Sequence, residues 1–484
     1  MALPDGFRLG VAMSGGQTEG GFNGPGQPAN NWWDWEQQGR VPRAGPALEL
    51  WSRYEHVLDR AVAAGCGTVR LSVEWARCEP YPGRIDEDAF ARYRAILAAC
   101  HDRGLEPVLA LHHFTHPRWL GPDFWLQLGS PDRFGQWAGA VAARLGDLCR
   151  HWFTVNEPNV LAFQSWFTGA MPPGRVGRTG DVVRALGHLL AGHVLAYRAV
   201  HHHQPDAVVT TNNHALSVYE LDRLSTDVLL ARWRGVERGD LRAWLAERRR
   251  AYHAAVPAPG LVEGAQRRVA ASILRLDQAF PRAVSEVYSG PDHRPLDVVA
   301  FNFYDPVVGH RLRLPGRRTA GGRAWTPLRQ IWDDTVDPDA LALYCRLNHE
   351  PGLDLWVAEN GLCNRVVDGY AVPRTDGWDR VSFLRANLAA VEGVAASGVP
   401  VTRYFHWSLA DNYEWGSYQH RFGLYRVDQV PGASPVWHDL DAFGHDAAGE
   451  YRLLAGTGGP GPQNLRGNRG RNAHGSRAGF RAGR

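Results

Sequence analysis

Lysine is absent from this sequence of 484 residues, and every basic residue other than histidine is an arginine. Without a lysine amine the protein cannot form the usual Schiff base, anchor pyridoxal phosphate, or bind a nucleotide through the lysine of a phosphate loop. These three kinds of enzyme are therefore excluded before any motif is considered.

Cysteine and long apolar runs are also scarce. The six cysteines are scattered and include no CxxC pair, which favours a reduced, cytoplasmic protein over a disulfide scaffold. No apolar run approaches the roughly 20 residues that a membrane span requires. The first ten residues, MALPDGFRLG, lack the charged and apolar regions of a signal peptide. We therefore predict a cytoplasmic protein without a membrane segment.

The net charge of +3 comes from the C-terminal end of the chain. Residues 456–484 contain six arginines and no acidic residue, so without them the net charge is −3. The body of the protein thus has no basic excess that would indicate nucleic acid as a partner. The segment is rich in Gly, Arg and Asn and poor in large apolar residues, which predicts a disordered tail after one domain that spans residues 1–455.

Eight short apolar runs alternate with helical patterns along the body of the chain. The runs cover residues 7–13, 68–75, 107–114, 151–158, 208–215, 297–305, 355–361 and 401–408. Amphipathic stretches such as 88–104 and 380–398 lie between them and end in glycine, as helices often do. Eight strands alternating with helices predict a single-domain (β/α)8 TIM barrel, an α/β fold. A doubly wound open sheet is the alternative, but the first run is not followed by the GxGxxG spacing that many such sheets carry.

Polar side chains gather where these runs end, whereas the beginnings of the runs look bland. The run ends carry Gln17, Arg70 and Glu74, His112 and His113, Asn156 and Glu157, Asn212 and Asn213, Asn302 and Tyr304, Glu359 and Asn360, and Trp407. Active sites of such barrels lie at the C-terminal ends of the strands. The sequence therefore predicts a site of carboxylates, amides, histidines and tryptophans at that end.

Two of these side chains, Glu157 and Glu359, are carboxylates about two hundred positions apart in the sequence. A pair of carboxylates facing one cavity can hydrolyse an acetal, one as the acid and the other as the nucleophile or as the base for a water. A zinc site built on His112, His113 and His116 is the competing interpretation, but no HExxH or other local ligand spacing supports it. We predict no metal and no cofactor.

Eight motifs in order resemble the glycoside hydrolase family 1 enzymes, the β-glucosidase family of retaining β-glycosidases. They are QTEGG (17–21), VRLSVEWARCEP (69–80), LHHFTHPRWL (111–120), TVNEP (154–158), GAMPPG (169–174), FNFY (301–304), AENG (358–361) and WSLADNYEWGSYQHRFGLYRVD (407–428). The resemblance extends from about residue 7 to about residue 428, nearly the whole chain before the tail.

The resemblance implies a role for each matching residue. Glu157 of NEP looks like the general acid/base, and Glu359 of ENG looks like the nucleophile. Arg70, Asn302 and Tyr304 would lie beside Glu359 and help to keep it ionised. The sugar in subsite −1 would be surrounded by a hydrogen-bonding wall of Gln17, His113, Asn156 and Glu414, by the stacking floor Trp407 and by the edge of Trp415.

Two features of the sequence bear on the substrate that this resemblance implies. Family members that act on 6-phosphorylated sugars replace the glutamate of NYEW and add a lysine, whereas this chain has Glu414 and no lysine. The plant thioglucosidases of the family lack the acid/base glutamate, whereas Glu157 is present. Unphosphorylated O-glycosides are therefore favoured. Two departures from the family stand out: the short EWGSY sequence, and Glu74 where a serine or another small residue is common.

We therefore expect a retaining, exo-acting β-glycosidase, specifically a β-glucosidase that tolerates β-galactosides and β-fucosides and takes a small-molecule glycoside as its partner. A transglycosidase that uses the same residues is one alternative, and a catalytically inactive carbohydrate-binding barrel is another. The segment 216–296 is arginine-rich and poor in motifs. We expect it to shape the entrance for the leaving group, although nothing in it names that group.

Overall fold

The computed structural model describes residues 6–256, 261–275, 280–291, 294–305, 335–367 and 370–456. The predicted tail therefore lies outside the described residues, apart from Gly456, which ends the last helix. Among the described residues, no helix is both long and apolar enough to cross a membrane.

The described strands comprise one parallel barrel and two small antiparallel sheets. In chain order they are β1 (Arg8–Ala12), β2 (Thr68–Ser72), β3 (Glu106–Ala110), β4 (His151–Asn156), β5 (Val208–His214), β6 (Val299–Phe303), β7 (Leu355–Asn360), β8 (Asn364–Val367), β9 (Tyr370–Val372), β10 (Val401–Trp407), β11 (His420–Arg421), β12 (Val427–Asp428) and β13 (Val436–Trp437). The barrel closes in the order β1-β10-β7-β6-β5-β4-β3-β2. Each of the eight predicted runs contains most or all of one barrel strand, so the TIM barrel is confirmed and the open sheet is wrong.

Helices follow the barrel strands and cover their outer face. They are α1 (Gly15–Thr18), α2 (Trp33–Gln37), α3 (Tyr54–Ala63), α4 (Trp75–Cys78), α5 (Glu87–Asp102), α6 (Ser130–Leu145), α7 (Pro158–Trp166), α8 (Thr179–His203), α9 (Tyr219–Asp222), α10 (Leu224–Leu230), α11 (Leu241–Ala255), α12 (Leu261–Ile273), α13 (Pro281–Ser289), α14 (Pro338–Asn348), α15 (Arg380–Ala396) and α16 (Ala447–Gly456), with 3-10 turns at Arg118–Leu120 and Phe124–Leu126. Between β5 and β6 the chain forms α9 to α13, which account for most of the segment 216–296.

Local sequence signals set the ends of several helices. Asp86 accepts a hydrogen bond from Ala89 N–H at the start of α5, and Asp379 forms a capping box with Ser382 at the start of α15. Such side chains satisfy N–H groups that have no partner within the helix. The glycines that follow α5 and α15 have positive φ, a conformation that favours glycine at a helix C-terminus.

The apolar residues form two cores, one outside and one inside the barrel. The larger core lies between the strands and the helices, and the smaller one comprises Ala12, Val108, Ala110, Phe153, Val298, Ala300, Trp356, Ala358, Cys363, Phe405, Trp407 and Phe422. Successive residues of a strand point to opposite sides of the barrel wall. The strands are therefore buried on both faces, as their near-continuous apolar sequences predict.

The N-terminal end of the barrel is not bland, contrary to our expectation. Glu106, the first residue of β3, accepts hydrogen bonds from Arg403 at 2.5 and 3.1 Å. His151, the first residue of β4, lies 3.1 Å from the same carboxylate. Arg403 lies 297 residues from Glu106 in the sequence, so this polar cluster at the N-terminal end forms only in the folded barrel.

Candidate active site

The two predicted carboxylates lie at the C-terminal ends of β4 and β7. Glu157 directly follows β4, Glu359 is the penultimate residue of β7, and both are buried. Two residues at the end of β6 contact them: Asn302 Nδ2 donates to Glu157 Oε1 at 2.8 Å, and Tyr304 OH donates to Glu359 Oε2 at 2.8 Å. Residues two positions apart along a strand point to the same face. The end of β6 therefore contacts both carboxylates, one on the adjacent strand β7 and one after β4, which lies two strands away in the barrel.

Asn302 differs in detail from its expected place beside Glu359. The backbones of Asn302 and Glu359 pair across β6 and β7 as expected. The side-chain amide nevertheless donates to Glu157, and at 3.5 Å it also approaches Asn156 Oδ1. Backbone pairing fixes which residues are neighbours, but the side chain turns towards the acceptor on the other side of its strand.

Arg70 supplies the positive charge next to Glu359. Its guanidinium is fully buried, forms an ion pair with Glu359, and donates to the Ala358 carbonyl at 3.2 Å. Burial raises the pKa of Glu359 above its ordinary value, and the negative charge of Glu157 acts in the same direction. Arg70 and the Tyr304 hydroxyl act against that rise by stabilising the anion.

Glycine 361, which follows this carboxylate in the ENG motif, has a steric reason to be there. A Cβ at this position would lie 2.2 Å from the Trp407 carbonyl oxygen. The close approach of the backbone just after β7 to the end of β10 therefore requires a residue without a side chain.

Glu157 has an unusual backbone conformation. It precedes α7 as the N-cap, with φ 45° and ψ 59°, and Pro158 begins the helix. The left-handed region costs a residue other than glycine about 1–3 kcal/mol, and such residues gather at functional sites. Phe114 and Trp415 also have positive φ. Three residues around the predicted cavity are thus held in costly conformations by the structure around them.

His214 contacts Glu157 and was not among the predicted site residues. It is the last residue of β5, and its Nδ1 lies 2.9 Å from Glu157 Oε1. Its ring stacks on Tyr304 with a centroid distance of 5.3 Å and an interplanar angle of 9°. The rule that selects Asn212 and Asn213 at the end of this run extends by one residue to His214, the last residue of the strand.

Gln17, Trp407 and Glu414 form one connected group, as the sequence predicts. Gln17 Nε2 donates to Glu414 Oε2 at 3.0 Å and to Asn412 Oδ1 at 3.1 Å, and Trp407 Nε1 donates to Glu414 Oε1 at 2.9 Å. Burial raises the pKa of Glu414 to about 8, against the effect of the Trp407 and Gln17 donors, and the charge of Glu359 raises it further. The surroundings of Glu414 therefore oppose its ionisation.

His113 and Asn156 form the opposite side of this group. Asn156 Nδ2 lies 3.3 Å from His113 Nε2, and the ring of His113 stacks on Trp407 at 5.6 Å and on Trp415 at 5.9 Å. Burial lowers the pKa of His113 well below its ordinary value, and Arg70 lowers it further. His113 is thus a neutral ring, and the predicted sugar-binding side chains are joined by direct contacts.

The competing zinc interpretation gains no support from this geometry. His112 accepts a hydrogen bond from Trp125 Nε1 at 3.3 Å, and His116 Nε2 lies 3.3 Å from the Gly121 carbonyl oxygen. Both rings are packed among aromatic side chains instead of converging on one point. Within the ranges that the structure describes, no group of three His, Cys, Asp or Glu side chains is arranged to hold a metal ion.

Glu74, the departure on the second strand, is buried behind this group. Its Oε1 accepts from Gly16 N–H at 3.0 Å and its Oε2 accepts from the Thr115 hydroxyl at 2.7 Å. A Cβ at Gly15 would lie 2.5 Å from Glu74 Cγ, which explains the glycine pair before Gln17. Glu74 therefore connects the turn that carries Gln17 to the loop that carries His113.

Comparison with known proteins identifies the family of this chain. The family described as glycosyl hydrolase family 1 matches residues 1–246 and 325–435. The chain is 28% identical to thermostable beta-glucosidase B of Thermobispora bispora over 90% of each protein. It is also 28% identical to a bifunctional beta-D-glucosidase/beta-D-fucosidase of Bifidobacterium breve, over 88% of this chain and 94% of that protein.

The fold is similar to that of solved family members. A beta-glucosidase from Thermotoga maritima in complex with deoxynojirimycin superposes with a TM-score of 0.70 and 20% identity, over 95% of this chain and 99% of that one. Since the family match covers well over half of the sequence, the chain belongs to glycosyl hydrolase family 1 and is an O-glycoside hydrolase of the β-glucosidase type.

Proposed function

We propose that the protein is a retaining, exo-acting β-glycosidase, with Glu359 as the nucleophile and Glu157 as the acid/base. The observation that carries this assignment is the different surroundings of the two carboxylates. Glu359 pairs with the buried Arg70 guanidinium, whereas Glu157 receives the Asn302 amide and contacts the His214 imidazole. Carboxylates in unlike surroundings can take unlike roles in one reaction.

In the first step of the proposed reaction, a Glu359 oxygen attacks the anomeric carbon. The bond between that carbon and the leaving oxygen breaks, and Glu157 gives its proton to the leaving oxygen. The product is a glycosyl ester on Glu359 and a free alcohol. Tyr304 OH and Arg70, which both bind the Glu359 carboxylate, orient it for this attack.

In the second step, water attacks the anomeric carbon of the glycosyl ester. Glu157, now without its proton, takes a proton from that water as the bond to Glu359 breaks. The sugar leaves with the configuration it had in the substrate. Both carboxylates return to their starting states, so the cycle needs no cofactor.

We propose an unphosphorylated β-glucoside as the preferred substrate, with tolerance for β-fucosides and β-galactosides. Gln17, Trp407 and Glu414 form a hydrogen-bonded set that suits neutral hydroxyl groups. A 6-phosphate would bring negative charge to a buried carboxyl group. The relative from Bifidobacterium breve is named a bifunctional beta-D-glucosidase/beta-D-fucosidase, and these two sugars differ at the 4- and 6-positions, which supports tolerance there.

Hydrolysis of a panel of nitrophenyl glycosides tests this function. The panel includes the β-glucoside, β-galactoside, β-fucoside and β-glucoside 6-phosphate, with the α-glucoside as the matched control for anomeric configuration. We expect the β-glucoside to react fastest, the α-glucoside not to react, and the β-anomer of glucose to appear first by NMR. Initial release of the α-anomer would mean an inverting reaction and would exclude the role proposed for Glu359.

The cytoplasmic location predicted from the sequence also remains a proposal. All six cysteines lie among the described residues, where they are buried and form no disulfide with one another, which agrees with a reduced compartment. Fractionation of the cells that produce the protein, with the glucosidase activity as the marker, tests this location.

A further inference from the structure

Both described contacts to the Glu157 carboxyl group fall on the same oxygen. Asn302 Nδ2 donates to Oε1 at 2.8 Å, and His214 Nδ1 lies 2.9 Å from the same atom. An amide nitrogen can only donate, so Oε1 is already an acceptor. A second donor at His214 Nδ1 fits this arrangement, since a carboxyl oxygen can accept two hydrogen bonds.

The placement of these donors determines where the acidic proton sits. With two N–H groups directed at Oε1, a proton on that oxygen would compete with both of them. The proton of the carboxylic acid therefore belongs on Oε2. A general acid must present its proton to the leaving oxygen within hydrogen-bond reach, so the choice of oxygen decides whether Glu157 is productive.

The histidine is held in place from three directions. Its backbone N–H donates to Asn159 Oδ1 at 3.2 Å, and its carbonyl accepts from Asn159 Nδ2 at 2.8 Å. Asn159 lies in the first turn of α7, two residues after Glu157. The stacked ring of Tyr304 fixes the imidazole plane, and Tyr304 OH in turn binds Glu359. His214 thus contacts Glu157 directly and is linked to Glu359 through Tyr304.

We propose that His214, as its Nδ1–H tautomer, is a positioning residue that directs the acidic proton of Glu157 to Oε2, towards the leaving group. This inference rests on the proposed function, because it needs Glu157 as the acid. It assigns no covalent step to the histidine. Nδ1–H donates throughout, to the carboxylic acid before the first step and to the carboxylate after it.

Two substitutions of His214 separate the effect of its hydrogen bond from the effect of its ring. His214→Asn retains an N–H donor near the Nδ1 position but removes the ring. His214→Phe retains a ring that can stack on Tyr304 but removes the donor. The readout is kcat/KM, which reports the first step, for β-glucosides with a good leaving group (dinitrophenol) and a poor one (methanol). Acid assistance matters most when the leaving alcohol is weakly acidic.

We expect His214→Phe to lower kcat/KM by about 10- to 100-fold on the methyl glucoside and by less than about 3-fold on the dinitrophenyl glucoside, within the 10²- to 10⁴-fold range of general acid catalysis. His214→Asn should recover most of the loss. In the double variant Glu157→Gln/His214→Phe, the second change should cost little more than the first, because both remove the same function.

The outcomes distinguish this inference from the proposed function. Equal losses on both glucosides in His214→Phe would show a merely structural role and overturn the inference. Equal losses in Glu157→Gln would instead overturn the acid/base assignment itself. If the rate of Glu157→Gln depends steeply on the leaving group and that of His214→Phe does not, the proposed function stands and the role proposed for His214 is wrong. Melting temperatures of all variants check that they fold.

Discussion

Carboxylates lie at both ends of the barrel, half-buried at the N-terminal end and buried at the C-terminal end, and their surroundings differ. At the N-terminal end, burial alone would raise the pKa of Glu106, yet the two hydrogen bonds from Arg403 lower it below its ordinary value. At the C-terminal end, burial raises the pKa of Glu359 and that of Glu414. The charge of Glu157 raises the pKa of Glu359 further, and the charge of Glu359 raises the pKa of Glu414 further. At the N-terminal end the carboxylate is matched by an arginine, whereas the C-terminal end has more carboxyl groups than cations.

The difference indicates which carboxylates serve stability and which serve chemistry. A buried acid without a matched cation costs stability, so a fold retains one where it is needed for another reason. Glu106 has the bidentate arginine that a structural ion pair needs. Glu414 takes its hydrogen bonds from the neutral groups of Gln17 and Trp407. The excess of acid coincides with the predicted sugar site.

The largest effect should come from removing the nucleophile. We expect Glu359→Ala to lower kcat on nitrophenyl β-glucoside by about 10⁴-fold or more, because loss of a nucleophile removes the covalent route. Added azide should restore part of the activity by entering the cavity and forming the α-glycosyl azide, which NMR identifies.

The matched control for this variant lies at the other end of the barrel. Glu106→Ala removes an equally large carboxylate, but kcat should stay within about 3-fold of the wild type because no sugar reaches that end. If Glu359→Ala kept near wild-type activity without azide, Glu359 would not be the nucleophile, and the difference between the two ends would not reflect catalysis.

The next effect should come from Glu414. We expect Glu414→Ser to lose most of the activity on nitrophenyl β-glucoside and to narrow the gap in rate to the 6-phosphate, because a site built to hydrogen-bond the hydroxyl groups of a neutral sugar can discriminate substrates by about 10⁴-fold. Rates on both substrates, measured for wild type and variant, give this ratio. A wild type that hydrolyses the two substrates equally well would show that Glu414 does not face the sugar.

A substitution at the N-terminal end of the barrel should lower the free energy of unfolding and leave kcat nearly unchanged. Arg403→Met leaves Glu106 without its cation. Because the Glu106 side chain is 31% exposed, the cost should lie below that of breaking a fully buried ion pair, at about 1–2 kcal/mol. Urea denaturation measures the loss of free energy of unfolding, while kcat should stay within about 3-fold. The double variant Arg403→Met/Glu106→Gln should recover part of the stability. Without such recovery, the arginine would act through its packing on Trp356, which lies 4.8 Å below the guanidinium.

The sequence predicted the barrel because each strand leaves a local signal, a short apolar run followed by polar residues. It could not predict the polar cluster at the other end, since Glu106, His151 and Arg403 each look ordinary and meet only when the barrel closes. The expectation of a bland end was wrong for this reason.

The same limit applies within the candidate site. Strand order predicts that Asn302 lies between Glu157 and Glu359, but not which carboxylate accepts its amide proton. The contact of His214 with Glu157 depends on the backbone turn at Glu157, where φ is 45°. A strand-end rule finds the residues of such a site, but the rotation of each side chain is set by its neighbours in space.

The smallest effect should come from Glu74, an acid at the C-terminal end whose oxygens already accept from Gly16, Ser72 and Thr115. Burial raises the pKa of Glu74 to about 7, and Glu19 adds to the rise while the donors and Arg77 oppose it. Below about pH 4.5 the folded and unfolded chains both hold this proton. Between about pH 4.5 and 7 only the folded chain holds it, so the free energy of unfolding falls as pH rises.

Glu74→Gln should remove this dependence, because its amide can keep the same contacts without titrating. We expect urea denaturation at pH 5, 6 and 7 to show a shallower fall in stability for the variant than for the wild type, with kcat/KM within about 3-fold. Glu414, whose pKa is raised to about 8, remains in both proteins and should keep stability falling towards pH 8. If the difference in stability between wild type and Glu74→Gln stays constant from pH 5 to 7, the pKa of Glu74 is not raised in the folded protein. Glu74 would then resemble Glu106 at the other end of the barrel, whose ionised form is stabilised.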